Sequence, residues 1–143
     1  MALEQNLVTV THPSAGDLST KQFYFVKLDS SGNVVLCDTA GEQALGVLQN
    51  NPAGAGRECA IAVGGVTKVI ASATIAVGAL IATDASGKAK AAVKGTANTA
   101  DTGAAADPLV GSFVLGQAES DGANGALMSV LLRSMGAVPT TAA

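Results

Sequence analysis

The chain has 143 residues, 48% of them hydrophobic but only 3% aromatic, and a net charge of −3. Its 8 basic residues are scattered, with only Lys88, Lys90 and Lys94 near one another, which excludes the basic face that phosphate neutralisation demands of a nucleic-acid binder. A core of Val, Ile, Leu and Ala with no Trp buries little area per side chain, at roughly 25 cal/mol per Å2, so extra burial through self-association or docking on a larger assembly is expected.

Residues 1–22 are polar apart from Leu7-Val8-Thr9-Val10 and read as an extended N-terminal arm, flexible in isolation. Such a patch can add a strand to a neighbouring sheet through backbone hydrogen bonds. The first ten residues lack the basic start and apolar run of a signal peptide. Beyond the arm the pattern is β, with short Val- and Ile-rich runs broken by Gly, Asn, Asp or Pro. Strands are expected at 7–11, 23–28, 34–38, 44–49, 58–63, 66–71, 79–83, 88–92, 111–118 and 126–133. Helical periodicity is weak, and only 71–81 offers room for one turn.

The turns between these runs carry their own chemistry. Asp29-Ser30-Ser31-Gly32 joins two strands, with Gly32 free to take positive φ. Residues 50–56 form a longer loop, Gly64-Gly65 reads as a tight reversal, and Asn124-Gly125 is a hairpin signal. The apolar stretch 60–82 carries Lys68 near its centre, which costs roughly 2.5–3.5 kcal/mol on membrane insertion. It reads as two buried strands and a turn, not as a helix in lipid. Lys88, Lys90 and Lys94 read as a solvated strand edge. Cys37 and Cys59 sit in apolar runs and are expected to be buried free thiols, which fits a reducing compartment.

An internal echo organises the chain. Residues 25–32 resemble residues 80–87, an offset of 55. Leu45-Gly46, with its strand, loop and strand, resembles Leu115-Gly116 and the strand, loop and strand after it, an offset of 70. The 15-residue difference falls at 93–107, an Ala/Thr/Gly/Asp-rich inserted loop. The expected fold is therefore all-β: a small barrel or sandwich of about ten short strands with an internal two-fold repeat. The expected divisions are an arm at 1–22, a β-rich domain at 23–135 and a flexible small-residue tail at 136–143.

Catalytic sets are not visible. His12 is the one histidine, placed before a Pro in the polar arm, and a Ser-His-Asp set would need it. One His with two Cys that have 21 residues between them matches no metal-ligand spacing, and no phosphate-binding or dinucleotide glycine motif occurs. Asp29 and Asp84, from the two echoes, suggest the paired carboxylates of aspartic proteases, but each turn has one residue more than that signature. The six to eight oxygens of a calcium site are not evident near them. No enzyme activity, cofactor or metal is expected.

The run from Ala40 to Pro52, AGEQALGVLQNNP, resembles capsid cement (head decoration) proteins of tailed bacteriophages. So do Ala62-Val63-Gly64-Gly65-Val66-Thr67-Lys68-Val69, the run from Ile75 to Ile81, Val114-Leu115-Gly116-Gln117-Ala118 and Val130-Leu131-Leu132. The resemblance spans residues 7–133. It implies a β-rich subunit, commonly trimeric, bound to the outside of an expanded icosahedral head where major capsid subunits meet. There it would stabilise the shell against internal DNA pressure. The implied partners are the major capsid protein and further copies of the chain, with no nucleic acid and no membrane, and the implied location is the virion surface after assembly in the host cytoplasm. No catalytic or cofactor residue carries over. On this reading Leu7, Val8, Val10, Asn50, Asn51 and Pro52 are the expected contact residues. The alternatives are a secreted or surface β-rich adhesin or fibre subunit, and a hydrolase using Asp29 and Asp84.

Overall fold

The computed structural model describes residues 2–3, 5–93, 112–134 and 136. Over these residues the fold is all-β, with nine strands and no α-helix. The strands are β1 (Gln5–Pro13), β2 (Phe25–Leu28), β3 (Val34–Leu36), β4 (Gly46–Leu48), β5 (Glu58–Ile70), β6 (Leu80–Thr83), β7 (Ala89–Ala91), β8 (Gly116–Ala118) and β9 (Leu127–Leu132). They join in one sheet in the order β3-β2-β4-β5-β9-β8-β6-β7, and β1 pairs β5 off that path. The sheet curls into a half-barrel, and single backbone hydrogen bonds link residues near its two ends. Phe25 N–H donates to Gly87 O at 2.7 Å, and Gly41 N–H donates to Thr83 O at 2.8 Å.

The repeat expected from the sequence is present and extends further than the echoes. In the first unit β2 pairs β4 as Phe25–Val47 and Val26–Gly46; in the second β6 pairs β8 as Leu80–Gln117 and Ile81–Gly116. These pairings reproduce the two sequence offsets residue for residue. The turns match as well. Asp29 Oδ1 accepts from Ser31 and Asn33 N–H, both at 2.9 Å, and Asp84 Oδ1 accepts from Ser86 and Lys88 N–H, both at 2.8 Å. The echoes do not reveal the opening strand of each unit. β1 pairs the first half of β5 as Val10–Ile61 and Thr11–Ala60, and the second half of β5 pairs β9 as Thr67–Val130 and Lys68–Ser129. β5 therefore closes the first unit and opens the second, which accounts for its 13 residues.

That double role corrects one expectation. The strands expected at 58–63 and 66–71 are one strand, and Gly64-Gly65 makes no reversal. A Cβ on Gly65 would lie 2.2 Å from Asn6 O, and Gly65 has φ +86°. The glycines mark the place where the start of β1 crosses close over β5, with a register shift between Gln5 and Val8. Turns and close backbone approach both call for glycine, so the dipeptide alone does not separate them.

Residues 5–22 of the expected arm do not stand away from the sheet. β1 is paired from Gln5 to Pro13, and Ser14 and Leu18 are buried. Leu7 packs on a core cluster holding Phe25, Val47, Ile81, Met128 and Val130; Val10 packs on a second holding Leu18, Val26, Val34, Leu48 and Ile61. Burying Leu7 and Val10 on the same chain costs no association entropy, which favours this pairing over a free arm. The insertion expected at 93–107 lies outside the described residues beyond Val93, and the tail expected at 136–143 beyond Gly136.

One strained position is explained by the repeat. Phe23 has φ 66°, and Gly78 holds the same place in the second unit with φ 82°. Phe23 N–H donates to Leu48 O and Gly78 N–H to Ala118 O, at 2.7 and 2.8 Å. A non-glycine residue persists in this region only where its surroundings over-determine it. Here the ring packs on the first core cluster and the Lys68 ammonium lies 5.7 Å from its centroid.

Candidate functional site

The one ion-pair cluster among the described residues belongs to the first unit. Lys27 in β2 donates to Asp38 Oδ1 at 2.6 Å and to Glu42 Oε2 at 2.9 Å. Glu42 Oε1 also accepts from the N–H groups of Asp38 and Thr39, at 2.7 and 3.0 Å. The cluster ties down the loop after β3. Hydrogen bonds donated to the Asp38 and Glu42 carboxylates hold the Lys27 ammonium well above its usual pKa, and the one accepted from Lys27 holds Asp38 below its own. For Glu42 burial pushes upward, but Lys27 and the two backbone donors outweigh it and the net shift is downward.

These directions set a pH dependence. Lowered carboxylates contribute stability that is present above their usual values of 3.8 and 4.5 and is lost as pH falls through the lower folded values. The raised lysine contributes stability present below 10.5 and lost as pH rises through its folded value. Glu42→Ala is expected to cost about 1 kcal/mol at pH 7, by removing an acceptor for two backbone donors, and to flatten the loss of stability below about pH 4. Urea denaturation at pH 7 and pH 3 measures both.

The carboxylates of the two Asp-x-Ser-Gly turns are spent on their own turns. Asp29 is held below its usual pKa, first by the Asn33 N–H. Each accepts the two backbone donors of an Asx-type turn, which is the turn-forming reading of these residues. Among the described residues no three His, Cys, Asp or Glu side chains gather closely enough to hold a metal ion. No helix among them is long and apolar enough to cross a membrane.

Cys37 and Cys59 are free and buried. Burial pushes the Cys37 thiol up to about 12 and raises Cys59 as well. Since the thiolate is the reactive form, both are expected to resist dithiobisnitrobenzoate at pH 8 in the native protein and to react fully in denaturant. Absorbance at the released thiolate checks this.

The six expected contact residues are not brought together. Val8 is 59% exposed at the start of β1. Leu7 and Val10 turn partly inward onto the two core clusters. Asn50 is spent on the fold, donating to Glu58 O at 2.8 Å and accepting from Ala60 N–H at 3.0 Å. Pro52 is buried, and its carbonyl accepts from Leu18 N–H at 2.9 Å. Asn51 is exposed on the rim of an open cleft that Arg57 and Glu58 also line. Pro13 pairs Glu58 and Val8 pairs Gly64, so this loop and Val8 lie about 17 Å apart along the strand at 3.4 Å per residue.

Sequence reasoning passed over two other surface residues. Leu28 and Leu80 are exposed at the ends of equivalent strands. The signal was present in the echo: Leu28 stands where the second unit has Thr83, and Leu80 where the first has Phe25.

The site is thus a surface rather than a pocket: a tandem-repeat β half-barrel with open strand ends, a fixed charged loop and a rimmed cleft. No known protein-family profile matches the chain, and no curated protein matches it. Among solved structures, the crystal structure of the head fiber gp8.5 N base in bacteriophage phi29 is similar, with a TM-score of 0.60 over 90% of this chain and 95% of that one. The identity is 15%, so the likeness is one of fold.

Proposed function

We propose that the chain is a capsid decoration (cement) protein, binding the outer surface of a mature icosahedral phage head at junctions between major capsid subunits. The observation that carries this reading is the fold shared with a phage head fiber base over 90% of the chain. It agrees with the head-decoration resemblance of residues 40–52, 62–69, 75–81, 114–118 and 130–132. The partners are the major capsid protein and further copies of the chain as a homotrimer. The physical logic is multivalency, in which several weak contacts held on one rigid assembly give a large effective affinity. Such a subunit acts by bracing the shell, and no bond-breaking step is part of the reading.

The test is binding of purified protein to heads that lack it, in expanded and unexpanded form, read by co-sedimentation and by cryo-electron microscopy. Binding to expanded heads with density at subunit junctions, and survival of decorated heads at temperatures that burst bare ones, is the expected result. Protein that stays in the supernatant with expanded heads overturns the reading.

A fibre reading stands beside it because the similar structure is described as the base of a head fiber. On that reading the chain seats a projection on the head. The same images distinguish the two, since a fibre base carries density extending outward beyond the compact β domain and a cement protein does not.

A further inference from the structure

One contact between the two repeat units, that made by the Asp-x-Ser-Gly turns, runs in one direction among the described residues. The turn after β6 docks on the first unit: Gly87 O accepts from Phe25 N–H, and a Cβ on Gly87 would lie 2.8 Å from Leu36 Cδ1 and 2.9 Å from Phe25 O. A two-fold contact would be repaid by the equivalent turn of the first unit docking on the second. It is not. Gly32, the counterpart of Gly87, has nothing within 4 Å of its own Cβ position. Leu80, the counterpart of Phe25, is 37% exposed where Phe25 is 0% exposed. Ala91, the counterpart of Leu36, is exposed. Beside the free turn, Leu28 is exposed where its counterpart Thr83 is buried.

Among the described residues the chain therefore presents an unused turn at one end and an unused counterpart of that turn's docking surface at the other. Both ends expose a leucine. We propose that copies of this chain associate head to tail through the contact that already joins the two units: Leu28 and the Asp29–Gly32 turn of one copy seat on Leu80 and Ala91 of the next. A heterologous contact of this kind closes into a ring where the rotation per copy permits and otherwise propagates. The occupant is a second copy, because this turn and this surface are the repeat counterparts of the Gly87 turn and the Phe25 and Leu36 surface that dock within the chain. The shortage of large core side chains makes the added burial valuable. The inference deepens the decoration reading by naming the contact between copies, and it rests on that reading only for the setting in which the assembly works.

Sedimentation velocity of the full chain over a range of concentrations tests it. The expected result is a concentration-dependent mass above the monomer's 13.9 kDa. Leu28→Glu and Leu80→Glu, each shown by circular dichroism to be folded, are each expected to raise the dissociation constant at least tenfold. Mixed in equal amounts they are expected to form one-to-one pairs and nothing larger, since each retains the end that the other has lost. A symmetric contact gives no such rescue. Should either variant fail to fold, Ser31→Cys in one preparation and Ala91→Cys in another provide a second route. Their mixture is expected to form an intermolecular disulfide that neither forms alone, the native cysteines being buried. A wild-type chain that stays monomeric, or an assembly that survives both glutamates, overturns the proposal. Heads that bind a monomeric chain overturn this inference alone; a head-to-tail assembly that ignores heads overturns the decoration reading alone.

Discussion

Gly46→Ala and Gly116→Ala are each expected to destabilise the protein by about 3 kcal/mol, near the upper end for an overpacked site. Neither glycine has positive φ, and neither sits in a turn. Each opens a strand that lies tight against its neighbour. A Cβ on Gly46 would be 2.1 Å from Ala62 O and 2.9 Å from Ile61 Cγ2; a Cβ on Gly116 would be 2.3 Å from Leu131 O and 2.8 Å from Val130 Cγ1. The first obstacle at each site is a backbone carbonyl on a central strand, which no rotamer change moves aside. Relief requires β4 to part from β5, or β8 from β9, at the sheet's middle. For a chain of this size the loss corresponds to roughly 10 °C in Tm. Gly16→Ala is the control, since a Cβ there meets nothing within 4 Å, and it is expected to stay within about 0.5 kcal/mol of wild type. Thermal melts of the three variants decide the matter. A Gly46→Ala protein as stable as wild type would mean that the two strands do not approach as described.

The pairing of Gly46 with Gly116 also shows how far the sequence could be read. The Leu-Gly echo placed both glycines in equivalent strands, and β2 with β6 and β4 with β8 keep its offsets without a slip. Strand existence was legible because short β-branched runs between turn residues have few other solutions. The opening strands of the two units were not legible as a repeat. Thr9, Val10, Thr11 and His12 in β1 share no identity with Val66, Thr67, Lys68 and Val69 in β5, and only cross-strand partners in space reveal that they are equivalent. Gly64-Gly65 misled for a related reason. Its neighbour in space is Asn6, almost sixty residues away in sequence, and short-range patterns carry no information about such an approach. The contact residues were the least legible part. Apolar character nominated Leu7 and Val10, yet the same character draws them onto the core clusters. Asn50 and Pro52 were nominated by a loop whose polar groups satisfy one another. What remains exposed is decided by which unit has a neighbour, and that is a property of the assembled pair.

The second large effect isolates that asymmetry. Gly32 and Gly87 occupy the same place in equivalent turns, with φ +81° and +79°. In both turns the glycine N–H donates to its aspartate carbonyl, Gly32 to Asp29 at 3.1 Å and Gly87 to Asp84 at 3.3 Å. An alanine at either site carries the left-handed conformation at a cost of about 1 kcal/mol. At Gly32 that is the whole cost in the isolated chain, because nothing lies within 4 Å. At Gly87 the methyl group also meets Leu36 and the Phe25 carbonyl. The leucine can yield by rotation and the carbonyl cannot, so Gly87→Ala is expected to cost about 2 kcal/mol more than Gly32→Ala. Urea denaturation at a concentration where the chain is dilute gives the difference directly. Equal costs at the two sites would show that the second unit's turn is not seated on the first. The comparison changes with concentration if copies associate head to tail, because Gly32 then acquires the neighbours that Gly87 already has. Under those conditions Gly32→Ala is expected to weaken assembly while leaving the fold of the dilute chain nearly intact, a separation of effects that a purely local turn defect does not produce.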